Sequence, residues 1–387
     1  CSWSGVCVYY VFYNLWDIRK GIMNIKNRNV YLDFFRGCAT ISVMLIHTAF
    51  HSGASYVPYW FANITLLFDV PVFFFLAGWA LQINIKRGKN DGWGGIKSSF
   101  GLWCKWAFFV ALIELAAKGL PFINGFSSLQ EAIQALCFFN FTINELPSVA
   151  ASIWFVPVYV VVSFWGATLV YIWRDSFYMD CDRGGKKTAC TCVIIMCVAG
   201  ILYSSFGGVF FNMSGYFWFY MFFYLLGYSL SEYRIKKWKY AIFLIGIVVV
   251  LWFASAKLCG LAPIDLQGAK FPPRVMYLMA SLISIILIMS LKGRIDQVAT
   301  NKYICRIGKN AIWFYYTQGI GASILYFIRD YIPEIYWFVK WLILGVVNIV
   351  ITILLAELIL ALYKLSGKLW LTVKQKVLKD IVLFEQI

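Results

Sequence analysis

Trp60-Phe61-Ala62-Asn63-Ile64-Thr65-Leu66-Leu67-Phe68-Asp69-Val70-Pro71-Val72-Phe73-Phe74-Phe75-Leu76-Ala77-Gly78-Trp79-Ala80-Leu81-Gln82-Ile83 is a run of 24 residues with one charge, Asp69. About 20 apolar residues of helix cross a bilayer core, so this run is long enough to span. It lacks the period-two alternation of a barrel strand. Working outward, similar runs recur at 31–50, 98–117, 150–173, 189–205, 214–230, 240–256, 275–291, 310–328 and 341–363. The expected fold class is all-α: a polytopic membrane protein with about ten transmembrane helices in one bundle. The whole chain agrees, with 387 residues, 61% apolar and 13% charged, and a mean hydropathy of +0.74. A soluble chain runs near about 45–50% apolar and about 25% charged. Disordered, collagenous and ordinary soluble classes are thereby excluded.

The net charge of +16 on a soluble protein would point to nucleic acid. Here the placement of the basic residues decides otherwise. With the N-terminus set in the cytoplasm, 26 of the 34 Lys and Arg fall on inside segments and six on outside ones. The remaining two, Arg36 and Lys105, fall inside helices. This is the positive-inside bias, so the charge is topology, no nucleic acid is expected, and both termini are expected in the cytoplasm. Most of the eleven cysteines sit in apolar runs, such as Cys190, Cys192 and Cys197, and read as buried thiols rather than a disulfide framework. Residues 1–22 read as a fragment edge or an upstream extension, 23–363 as one membrane domain, and 364–387 as a basic cytoplasmic tail. The outside segment 118–149 carries an amphipathic stretch, Leu129–Phe139, suited to the interface or to capping a cavity. The halves 31–173 and 189–363 share no motif, which disfavours an inverted-repeat transporter.

Ionisable groups at membrane depth are functional candidates by default. Those within the apolar runs are Asp33, Arg36, His47, Asp69, Lys105, Glu114 and Glu357. Asp33 and Arg36 stand i,i+3 and can pair on adjacent turns. Arg36 and His47 are eleven residues apart, about three turns, on one helix face roughly 16 Å from each other. Bland readings stand beside these: a snorkelling or structural ion pair for Asp33 and Arg36, and an interhelical hydrogen bond for His47. His51, at the outer end of the same helix, is expected to face solvent. Pro71 is expected to kink the second helix and free a carbonyl near Asp69, and Gly78 permits close helix approach.

The order of these residues resembles the acyltransferase 3 family of integral membrane acyltransferases. Tyr31-Leu32-Asp33-Phe34-Phe35-Arg36-Gly37, with ten residues between Arg36 and His47, resembles its opening. Asp69-Val70-Pro71 through Gly78 is similar to its second-helix signature, and Ile153-Trp154-Phe155-Val156-Pro157 to its Trp-Phe-x-Pro element. Lys270-Phe271-Pro272-Pro273 and Ile307-Gly308-Lys309-Asn310 resemble two later elements, in the family's order. Where many members carry a further histidine after the Gly-Lys-Asn element, this chain reads Tyr315-Tyr316-Thr317-Gln318. The resemblance implies a ten-helix fold in a bacterial-type cell membrane. It also implies transfer of an acyl group, usually acetyl, from cytoplasmic acyl-CoA to a hydroxyl of a cell-surface glycan or a lipid-linked precursor. By matching position it makes Arg36 and His47 the essential pair.

Such a transfer needs a base for the attacking proton and stabilisation of the oxyanion. His47 suits the base. Arg36 suits the phosphates of acetyl-CoA as co-substrate, with Asp33 holding it. Asp69, Trp154, Lys270, Pro272 and Pro273 are expected to shape the acceptor's binding site. No Gly-x-Ser-x-Gly, His-Glu-x-x-His or Cys-x-x-Cys occurs, so no metal is expected. Two other classes stay open on the residues alone. One is a proton-coupled transporter or flippase of glycan or lipid intermediates, with Asp33, Asp69 and His47 as relay. The other is a non-catalytic partner in a polysaccharide assembly complex.

Overall fold

The computed structural model describes residues 29–52, 55–87, 93–119, 125–126, 128–138, 146–176, 197–198, 200–201, 212–292 and 301–384. Among these residues the chain is helical, and its one β-type pairing is the isolated bridge between Lys270 and Pro273. The helices are α1 (Val30–His47), α2 (Tyr59–Thr65), α3 (Val70–Lys86), α4 (Trp93–Gly119), α5 (Leu129–Phe138), α6 (Pro147–Ile153) and α7 (Phe155–Ser176). They continue as α8 (Asn212–Leu230), α9 (Trp238–Cys259), α10 (Leu266–Lys270), α11 (Val275–Leu291), α12 (Lys302–Lys309), α13 (Ala311–Ile328) and α14 (Trp337–Phe384).

Six helical stretches among the described residues are long and apolar enough to cross a membrane: Val30–Ser52, Tyr59–Lys86, Gly94–Gly119, Pro147–Ile172, Trp238–Cys259 and Trp337–Thr372. The chain is thus a multi-pass membrane protein, and about ten spans is not reached by length and composition. Helices α8, α11 and α13 stand at three of the other expected positions; α11, for example, has only 17 residues, shorter than the usual span. The expected span 189–205 lies outside the described residues except for 197–198 and 200–201, which are helical. The proposed tail begins without a break, because α14 continues through Phe384.

Local chemistry sets the helix ends. Asn29 accepts from the Leu32 N–H and opens α1, Asn301 accepts from the N–H groups of Tyr303 and Ile304 and opens α12, and both are ordinary N-caps. Gly260, at φ 64°, closes α9 in the left-handed conformation that glycine adopts without a steric penalty.

Without a hydrophobic force between helices in lipid, close approach and polar contacts hold the bundle. Helices α3 and α8 cross where a Cβ on Gly78 would overlap the Tyr224 carbonyl and one on Gly227 would overlap the Phe75 carbonyl. Helices α1 and α12 cross in the same way, with Gly37 against Ile304 and Gly308 against the Asp33 carbonyl. Around the first crossing Phe74, Phe75, Phe219, Tyr220, Phe223 and Tyr277 are fully buried. By contrast α9 presents Ile242, Phe243, Val250 and Phe253 outward, as a lipid-facing helix does. Gly78→Ala is therefore expected to force the α3–α8 crossing apart and to destabilise by at least about 1–3 kcal/mol. Gly246→Ala on α9, where a Cβ meets nothing within 4 Å, is expected to be neutral or to stabilise by up to about 1 kcal/mol. Thermal unfolding of both variants in detergent checks the contrast; equal midpoints would remove the crossing from the account.

Candidate functional site

Pro71 does more than kink the second span. The helix stops at Thr65, passes through a 3-10 turn at Leu66–Phe68, and leaves Asp69 extended at φ −126° and ψ −157° before α3 begins. Pro71 sits in the first turn of α3, where its missing N–H costs no intrahelical bond. Such a break at membrane depth is tolerated only inside protein or beside a cavity. Here it is inside protein: Asp69 is 2% exposed, accepts from Lys270 Nζ at 2.6 Å and from the Tyr277 hydroxyl at 2.8 Å. Lys270 is itself buried. Its ammonium stands 5.5 Å from the Trp154 ring and 5.2 Å from the Phe271 ring, within cation–π range. The Phe271–Pro272 peptide is cis, and the corner it makes with Pro273 folds back onto Lys270. Asp69, Lys270, Trp154, Pro272 and Pro273, spread over about 200 positions of sequence, thus form one cluster.

The outer end of α1 supplies the second element. After His47 the helix widens into a π turn, Thr48–Ser52, a distortion that often marks functional positions. The turn is also bonded from α14: Asn348 Nδ2 donates to the Met44 carbonyl and to Thr48 Oγ1, both at 3.0 Å, and Trp341 Nε1 donates to the Leu45 carbonyl at 3.4 Å. These bonds fix the turn that carries both histidines. His51 does not stand in solvent as expected: four residues after His47 it returns to the same face, and the two rings meet edge to face at 5.0 Å. The Lys270 ammonium is within electrostatic range of both imidazoles, which joins this element to the Asp69 cluster.

A second broken helix converges on the same region. The turn at Trp154 separates α6 from α7, and the Tyr315 hydroxyl from α13 donates to the Ser152 carbonyl at 2.7 Å. The Tyr315 ring packs 4.6 Å from Phe155 and lies within electrostatic range of Asp69. Tyr315 and Phe155 also line a cavity of about 300 Å³. Arg36, Lys105 and Lys309 contribute three cations to the cavity wall, with no carboxylate among the described lining residues, and Ser98, Ser99 and Ser163 add hydroxyls. An anionic ligand is what such a wall favours.

The structure separates some expected partners. Among the described residues the ion pairs do not include one between Asp33 and Arg36. Arg36 Nη2 donates to the Leu76 carbonyl at 3.4 Å, while Asp33 is buried at the α1–α12 crossing. Glu357 binds Arg306 through two bonds of 2.6 Å, a helix-to-helix clamp. The sequence reading missed Tyr277, Gln318, Lys309 and the cavity role of Lys105. Lys105 carried a usable signal, being one of two cations inside an apolar run. Tyr277 carried none, since tyrosine is ordinary in such runs.

The amphipathic α5 is held against α4 by indole donors. Trp103 Nε1 and Trp106 Nε1 bond the carbonyls of Leu136 and Ala135, each at 2.9 Å. It therefore packs on the bundle rather than lying free in the interface.

These features define a multi-pass helical membrane protein with a buried polar site beside a cationic cavity. A model of the acyltransferase 3 family, described as an acyltransferase domain, matches residues 29–357. The chain belongs to that family of membrane acyltransferases. Comparison with curated proteins and with solved structures finds no match for either.

Proposed function

We propose that this acyltransferase takes an acetyl group from acetyl-CoA, bound from the cytoplasmic end of the bundle, and passes it to a hydroxyl of a cell-surface glycan or lipid-linked precursor. One observation carries the reading: α1 places a cavity wall of three cations at Arg36 and a half-buried imidazole at His47, roughly 16 Å further along the same helix. The phosphates of the donor would sit against Arg36, Lys105 and Lys309, and the thioester arm would run toward His47. The acceptor oxygen attacks the thioester carbonyl, His47 takes its proton, the carbon–sulfur bond breaks, and the proton passes to the leaving thiolate. The balance of basic residues supports termini and donor entry on the cytoplasmic side. The Asp69–Lys270 cluster, with Trp154 and the Pro272–Pro273 corner, lies nearer the opposite end and suits the acceptor.

Purified protein in detergent is expected to hydrolyse acetyl-CoA slowly in the absence of acceptor, and to bind CoA. Arg36→Lys keeps the charge and loses the planar fork, so its CoA affinity is expected to fall by about 1–3 kcal/mol, the range of a charge-assisted contact. Isothermal titration with CoA measures this. Unchanged affinity in the folded variant would assign Arg36 to helix packing, and absence of any CoA binding in the parent would overturn the donor reading.

A further inference from the structure

Helix α13 packs along α1 and onto the π turn after it, and at that contact it presents Gln318. The side chain is fully buried at 0% exposure and faces the His47 imidazole. Among the described residues, neither polar atom of its amide, Nε2 or Oε1, has a hydrogen-bond partner although both are buried, and the same holds for Nδ1 of His47. A buried amide left unpaired is destabilising, more so than an apolar side chain of the same length would be. The two groups lie within hydrogen-bonding reach of one another across one helix contact, so each can satisfy the other.

We infer that Gln318 is a positioning residue for His47, accepting the Nδ1–H through its Oε1 and thereby fixing which ring nitrogen is free. The inference rests on the reading of His47 as the base. With the proton held at Nδ1, the Nε2 lone pair is the one left to receive the acceptor's proton. The other charged or titratable neighbours of His47 do not fill this role. His51 meets the ring edge to face, and the Lys270 ammonium has only donors and is engaged by Asp69 at 2.6 Å. A neutral amide accepts from imidazole and, more strongly, from the imidazolium that forms when the ring takes a proton, and it adds no second carboxylate beside Asp69. Orientation of a catalytic histidine through its second nitrogen usually falls to a carboxylate or a backbone carbonyl; here a side-chain amide stands in that place.

The test uses the full chain in detergent, with acetyl-CoA hydrolysis as the assay and rates expressed per folded protein. Gln318→Met removes the acceptor oxygen at nearly constant length. It is expected to lower kcat at least about tenfold, a modest share of what a general base supplies, with KM for acetyl-CoA within about twofold. Gln318→Glu restores an acceptor oxygen and is expected to recover kcat to within about threefold of the parent. Gln318→Leu serves in place of the methionine variant where that one does not fold. On a His47→Ala background Gln318→Met should cost nothing further, because the residue acts through the imidazole. Parent-like kcat in Gln318→Met beside an inactive His47→Ala overturns this inference alone. Equal loss in the Met and Glu variants, or an additive loss in the double variant, overturns it as well. Full kcat in His47→Ala instead overturns the reading on which it rests.

Discussion

His47→Ala is expected to lose acetyl transfer by about 100- to 10,000-fold per folded protein, the contribution of a positioned general base, while its thermal midpoint stays close to that of the parent. The structure gives reasons for both halves of that expectation. The imidazole holds little of its surroundings: its one inferred bond to another helix is that from Nδ1–H to the neutral Gln318 amide. The π turn that carries it is fixed by Asn348 and Trp341 through main-chain carbonyls of Met44 and Leu45, which survive the substitution. His51→Ala is the control. The ring stands 5.0 Å from that of His47, closer than a solvent-facing residue would be, so its removal is expected to loosen the first imidazole and cost less than about tenfold. Purified variants assayed side by side decide the matter. Full specific activity in folded His47→Ala sinks the catalytic assignment. Equal losses in the two variants would make the histidines a shared structural or acceptor-binding pair.

The apolar runs were legible because membrane burial writes itself into composition, and the placement of Asp69, Pro71 and Gly78 in one run already pointed to an irregular second span. What the run did not disclose is how irregular. A proline read by itself predicts a kink; the extended backbone at Asp69 depends on Lys270 and Tyr277 arriving from 201 and 208 residues away to satisfy the carboxylate. The same limit applies to the histidines. Spacing of four places His51 on the face of His47, yet position at the end of an apolar run argued for solvent. The turn is held by α14, whose Asn348 and Trp341 bond it from 300 and 296 residues away. For Asp33 and Arg36 an i,i+3 spacing permits a pair, and the close α1–α12 crossing at Gly37 and Gly308 adds a constraint on the same stretch of helix that the spacing does not disclose.

The buried ion pair between Asp69 and Lys270 gives the other large effect. Both groups are nearly excluded from solvent, at 2% and 5% exposure, and the desolvation of two such charges offsets much of their mutual attraction. Removing one partner is the severe change, because the other charge then stays buried alone. Asp69→Ala is expected to destabilise by about 3–5 kcal/mol; the Lys270 ammonium keeps only the Trp154 and Phe271 rings, worth about 0.5–2 kcal/mol as cation–π contacts. Lys270→Ala is expected to cost somewhat less, since the Tyr277 hydroxyl still donates to the carboxylate at 2.8 Å. Replacing both, as Asp69→Leu with Lys270→Met, removes the two charges together and is expected to return stability to within about 1 kcal/mol of the parent, as apolar replacements of buried pairs commonly do. Transfer activity then separates structure from chemistry. If the pair belongs to the acceptor's binding site, the double variant folds like the parent, hydrolyses acetyl-CoA at the parent's rate and fails to transfer acetyl to the acceptor. Denaturant unfolding in detergent gives the first quantity, and donor hydrolysis beside transfer gives the second. A double variant that regains both stability and transfer would leave the pair a device for holding the broken second span against α10 and α11, with the acceptor bound elsewhere.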